Sequence, residues 1–236
     1  MERSDYAVWR HGDLRVYYRP ELDGGGSTIA RPFVGFVRRR ATGTYPVAYE
    51  WCAGPAFIGF ALLAEGICDR LCLSDVNPAV GDCLERTVEA NRLAGRVTWY
   101  IGDNLDALPD DARFDLVVSN PPNFSALNPR HPRYELYRDD LRPNDPGWRL
   151  HQGFYAGIGA HLRPGALLHI SEVEPHRDRV FIPRSEPEPY DLRPRPAIDD
   201  FVEMIAAAGL RYVDSVPYFT GADGAELFVM TSRSQP

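Results

Sequence analysis

The chain has 236 residues, 44% of them hydrophobic, so it is long enough to bury one sizeable core. Its 33 acidic residues outnumber 26 basic ones, all of them arginine, and the net charge is −7. An acidic chain lacks the electrostatic footprint of a general nucleic-acid binder, so neither DNA nor RNA is expected as a partner.

The four cysteines form no Cys-x-x-Cys pair and lie within or beside apolar runs, which predicts free buried thiols. Free thiols are typical of a reducing compartment. The first residues contain no apolar signal core, and no stretch of 18 apolar residues occurs. The sequence therefore predicts a soluble cytoplasmic protein without a membrane partner.

From residue 46 onward, short apolar runs alternate with segments of helical period. The predicted strands are Val47–Trp51, Arg70–Asp75, Arg96–Ile101, Phe114–Ser119, Ala166–Ser171, Arg211–Val216 and Glu226–Thr231. The predicted helices are Ala56–Glu65, Pro78–Leu93, Trp148–Leu162 (stopped by Arg163-Pro164-Gly165) and Ala197–Ala208. This alternation predicts an α/β fold: a Rossmann-like, doubly wound, mainly parallel seven-stranded sheet whose last two strands form an antiparallel pair.

Two segments fall outside this alternation. Residues 1–45 are rich in aromatics and are predicted to be an amino-terminal lid or extension of the single domain formed by residues 46–236. Residues 123–147 form an insertion rich in Pro, Arg and Tyr, and an irregular segment of this length is typical of a functional lid. The run Gly24–Gly26 is either a hinge of the first segment or a surface turn.

The segments after the predicted strands carry the candidate ligand-binding residues, because open α/β sheets bind ligands at the carboxyl ends of their strands. Small residues in Glu50–Ala56, after the first strand, would let a ligand approach the backbone. Asp75, after the second, suits two ribose hydroxyls, although it could equally cap the next helix. Asp103, after the third, could accept a hydrogen bond from the exocyclic amine of adenine.

The fourth strand ends abruptly in Asn120-Pro121-Pro122. The two prolines remove two backbone N–H donors and push Asn120 out of the helical region. The segment is therefore a stiff loop with free carbonyl groups and one amide side chain at the end of the strand. Alone, such a tripeptide indicates only a turn.

The order of these motifs over residues 45–172 resembles that of the class I S-adenosylmethionine (AdoMet) methyltransferases. It is most similar to the small-domain branch, which includes N5-glutamine and N6-adenine methyltransferases and carries Asn-Pro-Pro-Tyr or a similar motif after strand four. The segment Asp75-Val76-Asn77-Pro78-Ala79, followed by Asn91, also matches that branch.

This resemblance implies AdoMet as the cofactor and predicts the residues of its site. The implied cofactor-binding residues are Glu50, Cys52, Ala53, Gly54, Phe57, Asp75, Val76, Asp103, Asn104 and Asn120. The predicted catalytic residues are Asn120, Pro121, Asn123 and Tyr134, the last from the insertion. The Asn120 side chain and the Pro121 carbonyl would accept the N–H groups of a nitrogen nucleophile and aim its lone pair at the methyl group. No metal-ligand spacing occurs among the six histidines.

The chain departs from the family pattern at two places. Cys52 and Ala56 stand where glycine is common in the first loop. Asn123 stands where relatives that methylate bases or amides have an aromatic residue, whose stacking contributes roughly 1–3 kcal/mol per base in nucleic-acid systems. The missing aromatic argues against a base in nucleic acid and favours a small, non-planar amine.

The sequence thus predicts an AdoMet-dependent methyltransferase that acts on a nitrogen of a small molecule in biosynthesis. One alternative resembles the azetidine-2-carboxylate synthases: the amine of AdoMet itself would attack its own methionine chain, giving azetidine-2-carboxylate and methylthioadenosine. A protein or RNA N-methyltransferase and a non-catalytic AdoMet-binding protein are further alternatives.

Overall fold

The computed structural model describes residues 6–123, 128–130, 134–173, 196–221 and 226–235. The strands are β1 Ala7–His11, β2 Leu14–Tyr18, β3 Tyr45–Trp51, β4 Cys68–Asp75, β5 Val97–Ile101, β6 Phe114–Ser119, β7 Leu162–Val173, β8 Arg211–Thr220 and β9 Glu226–Arg233. The helices are α1 Gly26–Arg40, α2 Phe57–Ala64, α3 Val80–Ala90, α4 Tyr134–Tyr137, α5 Arg149–Ile158 and α6 Ile198–Ala207.

Seven strands form one sheet in the order β5-β4-β3-β6-β7-β9-β8. The pairs from β5 to β7 are parallel, and β9 is antiparallel to both of its neighbours. The predicted fold class is therefore confirmed. The chain order reverses at β3, which lies between β4 and β6, and this switch point is where open α/β sheets place their ligands.

Helices cover both faces of this sheet. Side chains from α1, α2 and α3 and from the β1–β2 hairpin form one core cluster. A second cluster on the opposite face contains residues of α5 and α6, among them Phe154, Ile158, Phe201 and Ile205. Among the described residues, no helix combines the length and the apolar character needed to cross a membrane.

The boundary between α5 and β7 was predicted wrongly. The helix ends at Ile158, followed by a short 3-10 turn, and β7 already begins at Leu162. The predicted stop Arg163-Pro164-Gly165 lies inside β7, where Leu162 pairs with Phe114 but Leu167 pairs with Leu116. The residues between these pairs therefore bulge out of the ladder, which lets a strand contain Pro and Gly. The predicted helix Pro78–Leu93 is likewise shorter in the structure, where α3 ends at Ala90.

Residues 6–40 contain a hairpin and a helix that the sequence did not reveal. The outer edge of β2 is bonded to side chains of α3 and its C-cap. Asn91 accepts the N–H of Arg15 at 2.9 Å and donates to its carbonyl at 2.7 Å. Thr87 accepts the N–H of Tyr17 at 2.9 Å. These polar side chains satisfy the backbone groups that an edge strand leaves unpaired.

The helix α1 packs against α2 with a fully buried stripe that includes Phe33, Val34 and Val37. It begins at Gly26, after Gly25 in the left-handed region, so the glycine run forms the start of a helix. The division of the chain at residue 45 and the function of the first segment as a lid stay predictions.

His169 lies on β7 in the core and is 1% exposed. Its Nδ1 atom is 3.2 Å from the hydroxyl of Thr231, and its Nε2 atom has no hydrogen-bond partner. Burial, together with the nearby cations of Arg40 and Arg233, lowers the pKa of His169 to about 3. The imidazole is therefore neutral in the folded protein.

We expect His169 to make the protein sensitive to acid. An unfolded histidine has a pKa of about 6.5, so below that pH the unfolded chain binds a proton at this residue and the folded chain does not. Unfolding therefore becomes more favourable as the pH falls. The wild-type free energy of unfolding should fall by about 2 kcal/mol more between pH 7 and pH 5 than that of His169→Gln. Urea titrations at both pH values measure this difference, and parallel pH profiles would contradict it.

Candidate active site

A cleft of about 760 Å³ opens at the carboxyl ends of β3, β4, β5 and β6. All ten predicted cofactor-binding residues line it, namely Glu50, Cys52, Ala53, Gly54, Phe57, Asp75, Val76, Asp103, Asn104 and Asn120. The other walls come from the segment around the start of α1, from the end of the 123–147 insertion and from α5, and none of their residues was predicted as a site residue. These include Leu22, Gly24, Gly26, Leu141, Arg142, Asn144, Asp145, Arg149, Leu150, Gly153 and Gly157.

The loop after β3 repeats one backbone conformation at every second residue. Cys52, Gly54 and Ala56 have φ angles of 52°, 51° and 62°, all in the left-handed region. A residue with a Cβ atom adopts this region at a cost of roughly 1–2 kcal/mol, and glycine avoids that cost. This conformation explains why glycine is common at all three positions in the family that the sequence resembles. Cys52 and Ala56 follow the same path under strain.

Glu50 lies at the end of β3 and is 3% exposed. Its Oε2 atom accepts the N–H of Gly59 at 2.7 Å, so it caps the first turn of α2, where the N-cap Ala56 has no polar side chain. Burial raises the pKa of Glu50 to about 8, although the bond from Gly59 opposes this. A Cβ atom on Gly59 would lie 2.6 Å from Oε2, which means only glycine leaves room for this carboxylate.

Asp75 joins two loops of the cleft. Its Oδ2 atom accepts the N–H of Gly54 at 2.7 Å, and its Oδ1 atom accepts that of Asn77 at 2.9 Å. Burial raises its pKa, while these bonds oppose the rise. The side chain of Asn77 bonds the N–H of Ala79 just before α3, so the polar contact at the start of that helix comes from Asn77.

Asp103 and Asn104 form the wall after β5. Asp103 is exposed, whereas Asn104 is half-buried and has a φ angle of 49°. The Asn104 amide donates to the carbonyl of Leu150 at 2.9 Å and thereby connects this wall to α5. Gly153 makes the contact possible, because a Cβ atom there would lie 2.8 Å from Nδ2 of Asn104.

The Asn-Pro-Pro segment brings one polar side chain into the cleft. Asn120 lines the cleft, and within the described ranges it has no hydrogen bond to the protein. Pro122 also lines the cleft, while Pro121 is buried. The Pro121 carbonyl accepts a hydrogen bond of 2.7 Å from the Asn123 amide and keeps a second lone pair.

The structure does not bring Pro121, Asn123 or Tyr134 to the cleft lining. Asn123 is 7% exposed, and its amide also contacts the Ser171 carbonyl at 3.5 Å and the Val173 N–H at 3.3 Å. It thus anchors the Asn-Pro-Pro loop to β7. Tyr134 begins the short helix α4 and is absent from the cleft lining. The insertion reaches the cleft through residues 141–146. The dipeptide Asp145-Pro146 is a typical helix-start signal and could have indicated that an ordered helix begins there.

The cleft lining is predominantly acidic. Its carboxylates come from Asp75, Asp103, Asp106 and Asp145, and its guanidinium groups from Arg142 and Arg149, whereas the raised pKa of Glu50 leaves that group mostly neutral at pH 7. Arg142 forms an ion pair of 2.7 Å with Asp140, which reduces its effect on the cleft. Within the described ranges, no group of three or more His, Cys, Asp or Glu side chains could hold a metal ion.

No family model matches the chain. Two release factor glutamine methyltransferases, from two strains of Xylella fastidiosa, are 32% identical to it over 123 residues. The match covers 49% of this chain and 42% of each relative, so the matched region spans less than half the length of those relatives.

Solved structures of methyltransferases share the fold. A methyltransferase from Pyrococcus furiosus has a TM-score of 0.60 at 14% identity, with 95% of this chain and 91% of that chain covered. The 1,6-didemethyltoxoflavin-N1-methyltransferase of Burkholderia thailandensis, with bound 1,6-didemethyltoxoflavin and S-adenosylhomocysteine, has a TM-score of 0.57 at 20% identity, with 89% and 79% covered. The chain therefore has the fold of the class I AdoMet-dependent methyltransferases.

The fold alone does not separate classes of substrate. The tRNA m1G37 methyltransferase of M. jannaschii has a TM-score of 0.55 at 11% identity, with 100% of this chain and 58% of that chain covered. Relatives that act on a small molecule and on tRNA thus share one architecture with this chain.

We expect Gly59→Ala to destabilise the protein by about 3 kcal/mol, because the new methyl group would overlap the Glu50 carboxylate and the side chain of Leu71. Gly81→Ala, in the first turn of α3, is the matched control: nothing lies within 4 Å of its Cβ position, and alanine should stabilise the helix by up to about 1 kcal/mol. Denaturant unfolding of both variants measures the contrast, and equal stabilities would refute it.

Proposed function

We propose that the protein is an AdoMet-dependent methyltransferase that acts on a nitrogen atom of a small molecule. The observation that carries the proposal is the position of Asn120. Its amide faces the same cleft as the Asp75 and Asp103 carboxylates and has no hydrogen bond to the described protein. A side-chain amide held at the end of a stiff loop is therefore available to a ligand.

The residues of the cleft fit AdoMet. Each Asp75 oxygen accepts one backbone N–H and has a lone pair left for a ribose hydroxyl. The exposed Asp103 carboxylate is free to accept from an adenine amine. AdoMet supplies a methyl group on a positively charged sulfur, and the acidic lining of the cleft favours a cation.

Asn120 would act on the incoming nitrogen. Its side-chain oxygen would accept an N–H of the neutral amine and orient the nitrogen lone pair toward the methyl carbon. The C–N bond then forms as the C–S bond breaks, and the bonding pair remains on sulfur. The resulting methylated ammonium loses a proton to solvent. Pro121 does not line the cleft, and its carbonyl would instead hold the loop in place by accepting a hydrogen bond from the Asn123 amide.

Two observations support a small substrate. Asn123 is used to anchor its own loop and offers no flat aromatic surface to a base or amide. The cleft carries more carboxylates than guanidinium groups, which would repel the phosphate backbone of a nucleic acid. The B. thailandensis relative named for N1-methylation of 1,6-didemethyltoxoflavin supports a nitrogen acceptor within this fold.

The first experiment is incubation of the purified protein with AdoMet alone, with product identification by mass spectrometry. Binding without turnover is the expected result, followed by formation of S-adenosylhomocysteine when a panel of amines is added. Methylthioadenosine with azetidine-2-carboxylate would overturn methyl transfer in favour of cyclisation of AdoMet. Absence of AdoMet binding would overturn the cofactor assignment, and turnover only with tRNA or protein would overturn the small-molecule assignment.

With an amine acceptor in hand, Asn120→Ala should lower kcat about 100-fold, because the nitrogen loses a preorganised acceptor in the transition state. The AdoMet dissociation constant should change by less than about threefold, since the methionine, ribose and adenine contacts remain. Asn120→Asp keeps an acceptor oxygen at the same place and should retain more activity. Steady-state kinetics and calorimetric titration separate the two effects, and an unchanged kcat in Asn120→Ala would exclude this role.

A second pair of variants tests the adenine side of the cleft. Gly153→Ala should displace the Asn104 amide from Leu150 and weaken AdoMet binding about tenfold. Gly157→Ala, on the same helix, meets only the end of the Leu105 side chain at 3.0 Å and should leave affinity within about twofold. Equal affinities of both variants in calorimetric titrations would show that Asn104 does not contact the ligand.

A further inference from the structure

Three ionisable side chains form a buried cluster at the wall of the cleft. The Nδ1 atom of His151 lies 2.7 Å from Oδ2 of Asp145, and its Nε2 atom lies 3.2 Å from Oε1 of Glu172. All three side chains are 0% or 1% exposed. Asp145 lines the cleft and also accepts the backbone N–H groups of Leu150 and His151 at the start of α5.

Aromatic rings surround the imidazole and exclude water from it. The ring centroids of Trp148, Trp51 and Phe201 lie 5.0, 5.5 and 6.0 Å from that of His151. Burial opposes protonation, but the Glu172 and Asp145 carboxylates outweigh it and raise the pKa of His151 to about 9. His151 is therefore an imidazolium between two carboxylates at neutral pH, with both ring nitrogens donating.

The cluster is connected to the Asn-Pro-Pro loop through the end of β7. Glu172 stands between Ser171 and Val173, whose backbone groups bind the two ends of the Asn123 amide. That amide in turn donates to the Pro121 carbonyl. A continuous series of contacts thus runs from Asp145 in the cleft wall to the Pro121 carbonyl, directly after Asn120.

We propose that His151 is a positioning residue, whose contacts with Asp145 and Glu172 hold the segment before α5 and the end of β7 together and so set the position of the Asn120 amide in the cleft. This inference rests on the proposed function. A buried cluster of two carboxylates and one cation is a poor source of stability, because desolvation offsets the attraction between its members. Its main effect is therefore expected on the position of the Asn120 amide in the cleft.

A pair of ligands can measure that geometry without a known amine substrate. Sinefungin carries an amine on carbon where AdoMet carries its methyl group on sulfur, and S-adenosylhomocysteine has neither group. Their common parts would contact the same residues, so the ratio of their affinities would report on the acceptor that Asn120 provides. A general loss of structure would weaken both ligands alike and leave the ratio unchanged.

Two variants disturb the cluster and one serves as control. Glu172→Gln keeps a hydrogen-bond acceptor and leaves a balanced pair of Asp145 and His151, so this variant should fold. His151→Gln removes the cation, so it tests the contact between His151 and Glu172 by changing the other partner. His161→Gln changes a histidine just beyond α5 whose Nδ1 atom lies 3.2 Å from the Ala112 carbonyl and whose ring stacks on Phe114, away from the charged cluster.

The wild type and His161→Gln should prefer sinefungin over S-adenosylhomocysteine about tenfold, the effect of a charge-assisted hydrogen bond. In Glu172→Gln and His151→Gln the preference should fall below about threefold, with little change in the affinity for S-adenosylhomocysteine. An undiminished preference, or equal weakening of both ligands, would overturn the positioning role. A wild type that binds neither ligand, or binds both equally, would instead refute the proposed function and this inference with it.

Discussion

One carboxylate holds together the two loops on which the cleft depends. Asp75 accepts the N–H of Gly54 after β3 and that of Asn77 after β4, and both strands end at the same edge of the sheet. The bond to Gly54 fixes the middle of a loop whose neighbours on either side are strained non-glycine residues. The bond from Gly54 to Asp75 and the bond from the Ala53 N–H to the Ser74 carbonyl hold the loop in this strained conformation. The side of the cleft that is proposed to bind AdoMet depends on these bonds.

The opposite side of the cleft is held by different means. The Asn-Pro-Pro loop has lost two N–H donors, so the backbone alone cannot fasten it to its surroundings. The Asn123 side chain supplies the missing bonds to β7, and the charged cluster around His151 fastens β7 to the segment before α5. Side-chain contacts thus hold this side of the cleft in place, whereas bonds from backbone N–H groups to Asp75 hold the opposite side.

This difference explains which parts of the site could be predicted from the sequence. Asp75, Asp103 and Asn120 each follow directly after a strand that the apolar pattern defines, and the carboxyl ends of parallel strands converge whatever the other contacts are. Asn123 and Tyr134 were chosen from a motif position and from composition, and neither indicates where a side chain points. Asp145, His151 and Glu172 belong together only through packing between separate elements, and the hairpin depends on bonds between residues 70 and 76 positions apart.

The bonds from α3 to β2 have a consequence for the behaviour of the protein at high concentration. A two-stranded hairpin outside the main sheet offers a free edge along which another chain could add a strand. Thr87 and Asn91 occupy the donors and acceptors of that edge, and they do so from a helix, which cannot itself continue a sheet. The β2 edge of the hairpin is thereby protected from pairing with a second molecule, so the same side chains that attach the hairpin to the domain also oppose self-association along this edge.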